Sequence, residues 1–377
     1  MRSQTRVIAA ALWLAATGQV ASVHADGSKR ECKPSGLPNQ LAQAGAIEVA
    51  QPVDYWSKPW LLITDKRNRP DKVRLLSADG TLIDIAKPPI TVEPVQWLAR
   101  GRAIYALSKG RSETAGKSDV VLMRWGTDPR PRLTNLRAGV DLTGGLSAAF
   151  SNEFLGTTWA EKAADGTMHR MASFLDVEEL RVQEPKDLGP DTGAAGRVQA
   201  TADGFVVVWT AADGVKHASF SRFGKPQGQV STLAWAGKGP DATASVSVMQ
   251  CGARSWLLSE RGTELSLFSG DPKEPSMKQL ARLPIATDDK LLPANCVDES
   301  LVVGRRIVDS KANNVVFWVS TIAPNGKIRE RRVRDMQGGP DDIRMPQFSQ
   351  VGAKLTSWWV AGTGVEAKVW SRELSCD

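Results

Sequence analysis

Four Gly-x-Asp triplets recur in step along the 377 residues: Gly139/Asp141, Gly189/Asp191, Gly239/Asp241 and Gly339/Asp341 lie fifty residues apart, or twice fifty. Trp159, Trp209 and Trp359 keep the same phase, each eighteen positions after its Asp. A period of about 40 to 50 residues filled with short apolar runs describes a unit too small to bury its own faces, so such units must stack on one another. This matters for a chain of this length, because a single core for about 350 residues would be unusually large, whereas stacking divides the burial among many interfaces.

The unit that begins near Asp191 is the easiest to parse. Its expected strands are Arg197 to Ala200, Gly204 to Thr210, Lys216 to Ser221 and Gln229 to Leu233, with tight turns at Asp203-Gly204 and Asp213-Gly214. Glycine accepts the positive φ that short hairpins demand. Equivalent turn signals stand at Asp79-Gly80, Asp165-Gly166, Gly262 and Asn325-Gly326. Over nearly its whole length the chain resembles the β-propellers, whose blades are four-stranded antiparallel sheets arranged in a ring.

With Asp141 as phase marker, blades are expected to start near 41, 91, 141, 191, 241, 289 and 341, which makes an all-β, seven-bladed propeller. A six-bladed ring with residues 41 to 90 as a cap is the alternative, since the first unit lacks the marker. The last unit runs short of a strand. The segment from Asp26 to Gln43 is expected to supply it, closing the ring between the N- and C-terminal segments; Pro34 and Pro38 are tolerated on such an edge.

Residues 1–25 read as a secretory signal peptide: Arg2 and Arg6 precede an apolar stretch from Val7 to Ala21, and Val23-His24-Ala25 offers a small-residue cleavage site. That stretch is too short to span a membrane. The expectation is one propeller domain over residues 26–377, periplasmic or secreted, with no transmembrane segment. Lipidation at Cys32 is disfavoured by the charged Lys29-Arg30-Glu31 before it. Four cysteines in an exported chain imply two disulfides. Cys251 and Cys296 each stand five residues before an apolar strand in adjacent repeats, and Cys32 and Cys376 lie at the two ends that a ring brings together. The expected pairs are therefore Cys32–Cys376 and Cys251–Cys296.

The net charge of +7 falls to +5 once the leader is removed, a mild bias that argues against a nucleic-acid partner. The repeated Asp141, Asp191, Asp241 and Asp341 would ring one channel mouth. Oxygen ligands there would suit Ca²⁺, although Gly-Pro-Asp is also ordinary turn chemistry and is the stronger explanation. With only His169 and His217 beyond the leader, both expected on third strands, zinc and Ser-His-Asp chemistry lack ligands and partners. The sequence boxes of sialidases, quinoproteins and WD repeats are absent. Among the thirteen tryptophans, the in-phase Trp159, Trp209 and Trp359 are expected in the core, and Trp56, Trp60, Trp97, Trp235 and Trp358 are the candidates for a binding surface.

The one localised surface feature is basic. The expected loops between second and third strands of the first two units carry Lys66, Arg67, Arg69, Lys72, Lys109, Arg111 and Lys117 against Asp65, Asp71 and Glu113, a balance of +4. Such a patch would attract an acidic protein or an anionic envelope polysaccharide. No residue is assigned a catalytic, cofactor or metal role. The functional expectation is a noncatalytic binding or scaffold module, and the alternative is a glycan hydrolase or lyase using channel-face carboxylates. Nonreducing peptide mapping should recover Cys32–Cys376 and Cys251–Cys296 as the linked pairs; recovery of Cys32 with Cys251 would break the repeat register.

Overall fold

A computed structural model of the protein describes residues 31–43, 47–55, 58–65, 72–77, 80–86, 89, 92–126, 130–201, 203–270, 276–285, 294–309, 314–333, 343–351, 354–361 and 368–376. The leader expected over residues 1–25 lies outside them. The described residues form strands and turns, and no helix among them is long and apolar enough to cross a membrane.

The strands of the described residues fall into six hydrogen-bonded sheets. Five have the size of a blade. Ile47–Tyr55, Lys58–Asp65, Lys72–Ser77 and Leu82–Ala86 form one antiparallel meander, and Arg197–Ala200, Gly204–Ala211, Gly214–Ser221 and Ser231–Thr232 form another. Ser245–Cys251, Arg254–Arg261, Glu264–Gly270 and Ser276–Pro284 make a third, to whose last strand Ala234–Trp235 adds in parallel. Ala294–Val297, Ser300–Asp309, Asn314–Ile322 and Ile328–Arg332 make a fourth. The fifth joins Ile343–Val351, Lys354–Ala361 and Lys368–Cys376 to the N-terminal strands Cys32–Pro34 and Asn39–Gln43.

The sixth sheet corrects the expected tally of seven separate blades: it is one continuous sheet of eight strands, so the hydrogen-bonded units are five of blade size and one of double width. Its cause is the 20-residue strand Arg132–Ser151. Residues 132 to 140 of that strand pair with Ser118–Trp125, and residues 141 to 151 pair with Phe154–Lys162. Elsewhere the chain breaks its ladder between one outermost strand and the next innermost one. Here it passes through register shifts around Gly139 and Gly144 without leaving the sheet.

Each sheet packs face to face on the next, which is what closes a ring. Leu62 and Leu75 of the first sheet meet Trp97, Ile104 and Trp125; Phe174 meets Phe205 and Trp209; Val206 and Val215 meet Leu257 and Phe268. Trp256 meets Leu301 and Ile322, and Val302 and Phe317 meet Leu355 and Trp359. Trp358, Val360 and Val369 of the last sheet then pack on Leu61, Ile63 and Leu76 of the first. Covalent bonds reinforce the ends and one neighbouring pair of sheets. Cys32 is bonded to Cys376 with the two Cα atoms 4.0 Å apart, and Cys251 to Cys296 with 5.1 Å, both inside the roughly 7 Å reach of a disulfide.

His169 and His217 lie on the third strands Met168–Asp176 and Gly214–Ser221. Burial pulls the His217 imidazole down to about 4. Because its pKa falls on folding, the native state favours neutral His217. The associated stability is present above the unfolded value near 6.5 and is lost as pH falls through 4. A folded-state titration by NMR should place His217 near 4. Denaturant unfolding should show a loss on the order of 2–3 kcal/mol between pH 7 and pH 4 that is smaller in His217→Gln; an ordinary imidazole titration near 6.5 would contradict this.

Candidate functional site

The Gly-x-Asp links and the hairpins between second and third strands lie together on one face, and the aspartates show it. Lys117, at the end of the hairpin Arg111–Ser118, approaches Asp141 at 3.9 Å, and the Gly139 amide donates to Asp119 Oδ1 at 2.8 Å. Arg261, at the end of its own hairpin, meets Asp241 Oδ2 at 2.6 Å. Asp191 and Arg170 form a fully buried pair at 2.6 Å, and the guanidinium donates further to the carbonyls of Gly145 and Ala194. Each aspartate has thus found its own cation.

Turn chemistry accounts for the rest of these carboxylates. The Gly193 amide donates to Asp191 Oδ1 at 2.5 Å, and the Thr243 amide and hydroxyl donate to Asp241 Oδ1 at 2.9 and 2.6 Å. Hydrogen bonds from Thr243, then the nearby Arg261 and Lys238 charges, hold the Asp241 carboxyl below the usual carboxylate range. Among the described residues no group of three or more His, Cys, Asp or Glu side chains is arranged to hold a metal ion. Asp341 lies outside the described residues.

Beside Asp241 the face opens into a cleft of about 510 Å³. One wall is the link through Lys238, Pro240 and Asp241; the other is the sheet behind it. Ser259, Ser266 and Arg282 stand opposite one another on three adjacent strands, with Phe268 and Gln279 next to them. Ser266 donates to Glu264 Oε1 at 2.9 Å, Gln279 donates to Ser266 at 3.3 Å, and Arg282 lies 3.7 Å from Glu264 Oε2. The lip is held by Gly239, where an added Cβ would sit 2.7 Å from Trp235 Nε1. Trp235 in turn packs edge-on against Phe268, with ring centroids 5.1 Å apart.

The expected basic patch is described in part. Lys109 and Arg111 are exposed on the second strand of their unit, and Lys117 is exposed in the hairpin. Lys66, Arg67 and Arg69 lie outside the described residues, and of Lys72 only the backbone, at the start of Lys72–Ser77, is described.

The tryptophans divide differently from the expectation. Trp159, Trp209 and Trp359 are buried, but so are Trp97 and Trp358, which were candidates for a surface. Trp358 and Trp359 are consecutive on one strand and point to opposite faces, and both faces of that strand are covered by neighbouring sheets. Of the remaining candidates, Trp60 and Trp235 are half-buried and Trp56 is outside the described residues. Arg170, Lys238, Arg261, Glu264 and Arg282 were not singled out from the sequence. The available signal was their departure from the repeat: twenty residues after the marker Asp, Arg261 stands where the other units have Glu161, Ala211 and Ala361.

Arg170 is load on the fold unless Asp191 accompanies it, because removing one partner strands a charge in a dry site. Arg170→Met is expected to lose about 3–5 kcal/mol in denaturant unfolding, and Arg170→Met combined with Asp191→Leu should recover much of that loss. Additive losses in the double variant would contradict the pairing.

No protein-family model matches the chain, and no curated protein matches it in sequence. Solved structures do resemble it. The chain is similar to a structure from a study of two prolyl endopeptidases, with 13% identity and a TM-score of 0.51 over 89% of this chain and 50% of the other. TolB from Acinetobacter baumannii gives 13% identity and a TM-score of 0.40 over 70% and 59%. Trypanosoma rangeli sialidase gives 9% identity and a TM-score of 0.43 over 78% and 56%. The chain thus spans between half and three-fifths of the length of these proteins. At such identities the likeness is one of fold alone, that of a propeller-like ring of small antiparallel sheets.

Proposed function

We propose that the protein is an exported, noncatalytic binding or scaffold module that recognises a protein or an envelope glycan through the face where the Gly-x-Asp links meet the hairpins. The observation that carries this reading is the state of the carboxylates on that face. Asp141, Asp191 and Asp241 are each matched to a cation, and Asp241 is held low, hence ionised. A glycosidase pair instead needs one carboxyl kept protonated as the general acid. Asp191 is sealed with its cation, whereas the paired charges at Asp141 and Asp241 stay exposed, and exposed paired charge serves attraction and orientation.

The same reading takes the double-width sheet as two blades, giving seven, because its halves also pack on each other through Tyr105, Leu122, Leu155 and Trp159. It takes residues 26–377 as one domain that follows a cleaved leader. A periplasmic or secreted location agrees with two disulfides, which persist in oxidising compartments.

Replacing Lys66, Arg67 and Arg69 by Ser is expected to weaken binding of an acidic envelope polysaccharide, measured by calorimetry, while shifting stability by no more than about 0.5 kcal/mol. Raising salt should weaken the wild-type interaction as well, since exposed charges are screened over roughly 8 Å at physiological ionic strength. Binding that survives both changes would remove this patch as the docking surface, and turnover of the polysaccharide would replace the module by an enzyme.

A further inference from the structure

A repeat protein separates what its fold needs from what it carries in addition. Residues that build the unit recur in phase, and residues that do not recur answer to something else. The charges around the cleft are of the second kind. Lys238 occupies the position filled by Ala138, Leu188 and Gly338 in other units, and Glu264 the position filled by Ala164, Gly214 and Gly364. Arg282 occupies the position of Val182 and Thr232. With Arg261, four departures from the repeat converge on one cavity.

The lining is selective in its chemistry. Lys238, Arg261 and Arg282 against Asp241 and Glu264 leave a balance of +1. Arg261 spends one nitrogen on Asp241, and Lys238 makes no hydrogen bond or ion pair among the described residues, so charged donors remain for an incoming group. The two carboxylates would repel a polyanionic phosphate more strongly than a single carboxylate. Between the charges lie the hydroxyls of Ser259, Thr263 and Ser266 and the amide of Gln279, all suited to hydroxyl groups. A volume of about 510 Å³ falls within the roughly 300–1,000 Å³ of small-molecule sites. A peptide anchor would call for an apolar pocket, and this one is mostly polar.

We propose that the cleft between the Lys238–Asp241 link and the sheet behind it is a subsite for a carboxylate-bearing sugar, a uronate residue of an acidic glycan, with Lys238, Arg261 and Arg282 facing its carboxylate and the Ser, Thr and Gln side chains facing its hydroxyls. The inference rests on the binding-module reading above and names its ligand class.

The test is calorimetry of the mature chain with uronate tetrasaccharides, with their methyl esters, and with an acidic peptide. The acid form should bind. The ester should bind at least about tenfold more weakly, as expected for loss of a charge-assisted hydrogen bond. Arg261→Gln and Arg282→Gln should each cause a loss of similar size with an unchanged melting temperature, whereas Lys225→Ser, in an exposed loop outside both the cleft lining and the basic patch, should leave tetrasaccharide binding in place. Equal binding of acid and ester, retention in both Arg variants, absence of tetrasaccharide binding, or binding of the peptide alone would each overturn the subsite. A partner whose binding is lost with the Lys66, Arg67 and Arg69 substitutions but not with these would leave the module standing while removing the cleft; turnover of the tetrasaccharide would remove the module itself.

Discussion

The structure depends on the pairing that closes its ring. Stacked sheets leave two raw faces unless the last meets the first, and here the last sheet is completed by the beginning of the chain. Cys32–Pro34 pairs with residues 374 to 376, and Asn39–Gln43 pairs with residues 368 to 371 on the same edge. Polar contacts fasten the segment to both neighbours: the Cys32 amide donates to Thr321 Oγ1 at 3.2 Å, Arg331 meets Glu31 at 2.7 Å, and Arg372 donates to the Gly36 carbonyl at 3.0 Å. The disulfide fixes this arrangement where the two chain ends meet. Burial of Trp358, Val360 and Val369 against the first sheet then becomes possible.

A closed ring also determines where chemistry can sit. Both faces of middle strands such as Phe154–Lys162 and Gly204–Ala211 are consumed by packing, so specific groups are left to the strand ends and links. The cleft follows from this economy. Its floor is the end of a sheet whose deeper residues, Leu257 and Phe268, pack on the preceding sheet, and its wall is the link that Gly239 lets lie against Trp235. The buried Arg170–Asp191 pair stands at the neighbouring link, where the same marker carboxylate is closed in by packing. One marker position thus gives a sealed joint in one unit and an open ionic cleft in another.

Much of this was legible in the sequence because the repeat phase reports burial. Trp159, Trp209 and Trp359 fall on second strands and are buried there, and the cysteines at the chain ends and at matching repeat positions are bonded as their places imply. Other features were hidden for physical reasons. Trp358 looked unphased because a strand covered on both sides buries successive residues, and a one-face pattern cannot express that. The merging of two units through Arg132–Ser151 depends on glycine-mediated register shifts with no clear local signature. Arg261 and Arg282 stand out in the sequence only as departures from the repeat, because the link that makes them the wall of a cavity comes from a different stretch of chain.

The N-terminal strands hold the ring shut. Native-state hydrogen exchange on a chain lacking residues through Gln43 tests it most directly. Protection is expected to fall in the last strand and also in Lys58–Asp65 and Lys354–Ala361, on the two sides of the closing interface. Protection unchanged in those two strands, with loss confined to the exposed edge of Lys368–Cys376, would contradict it.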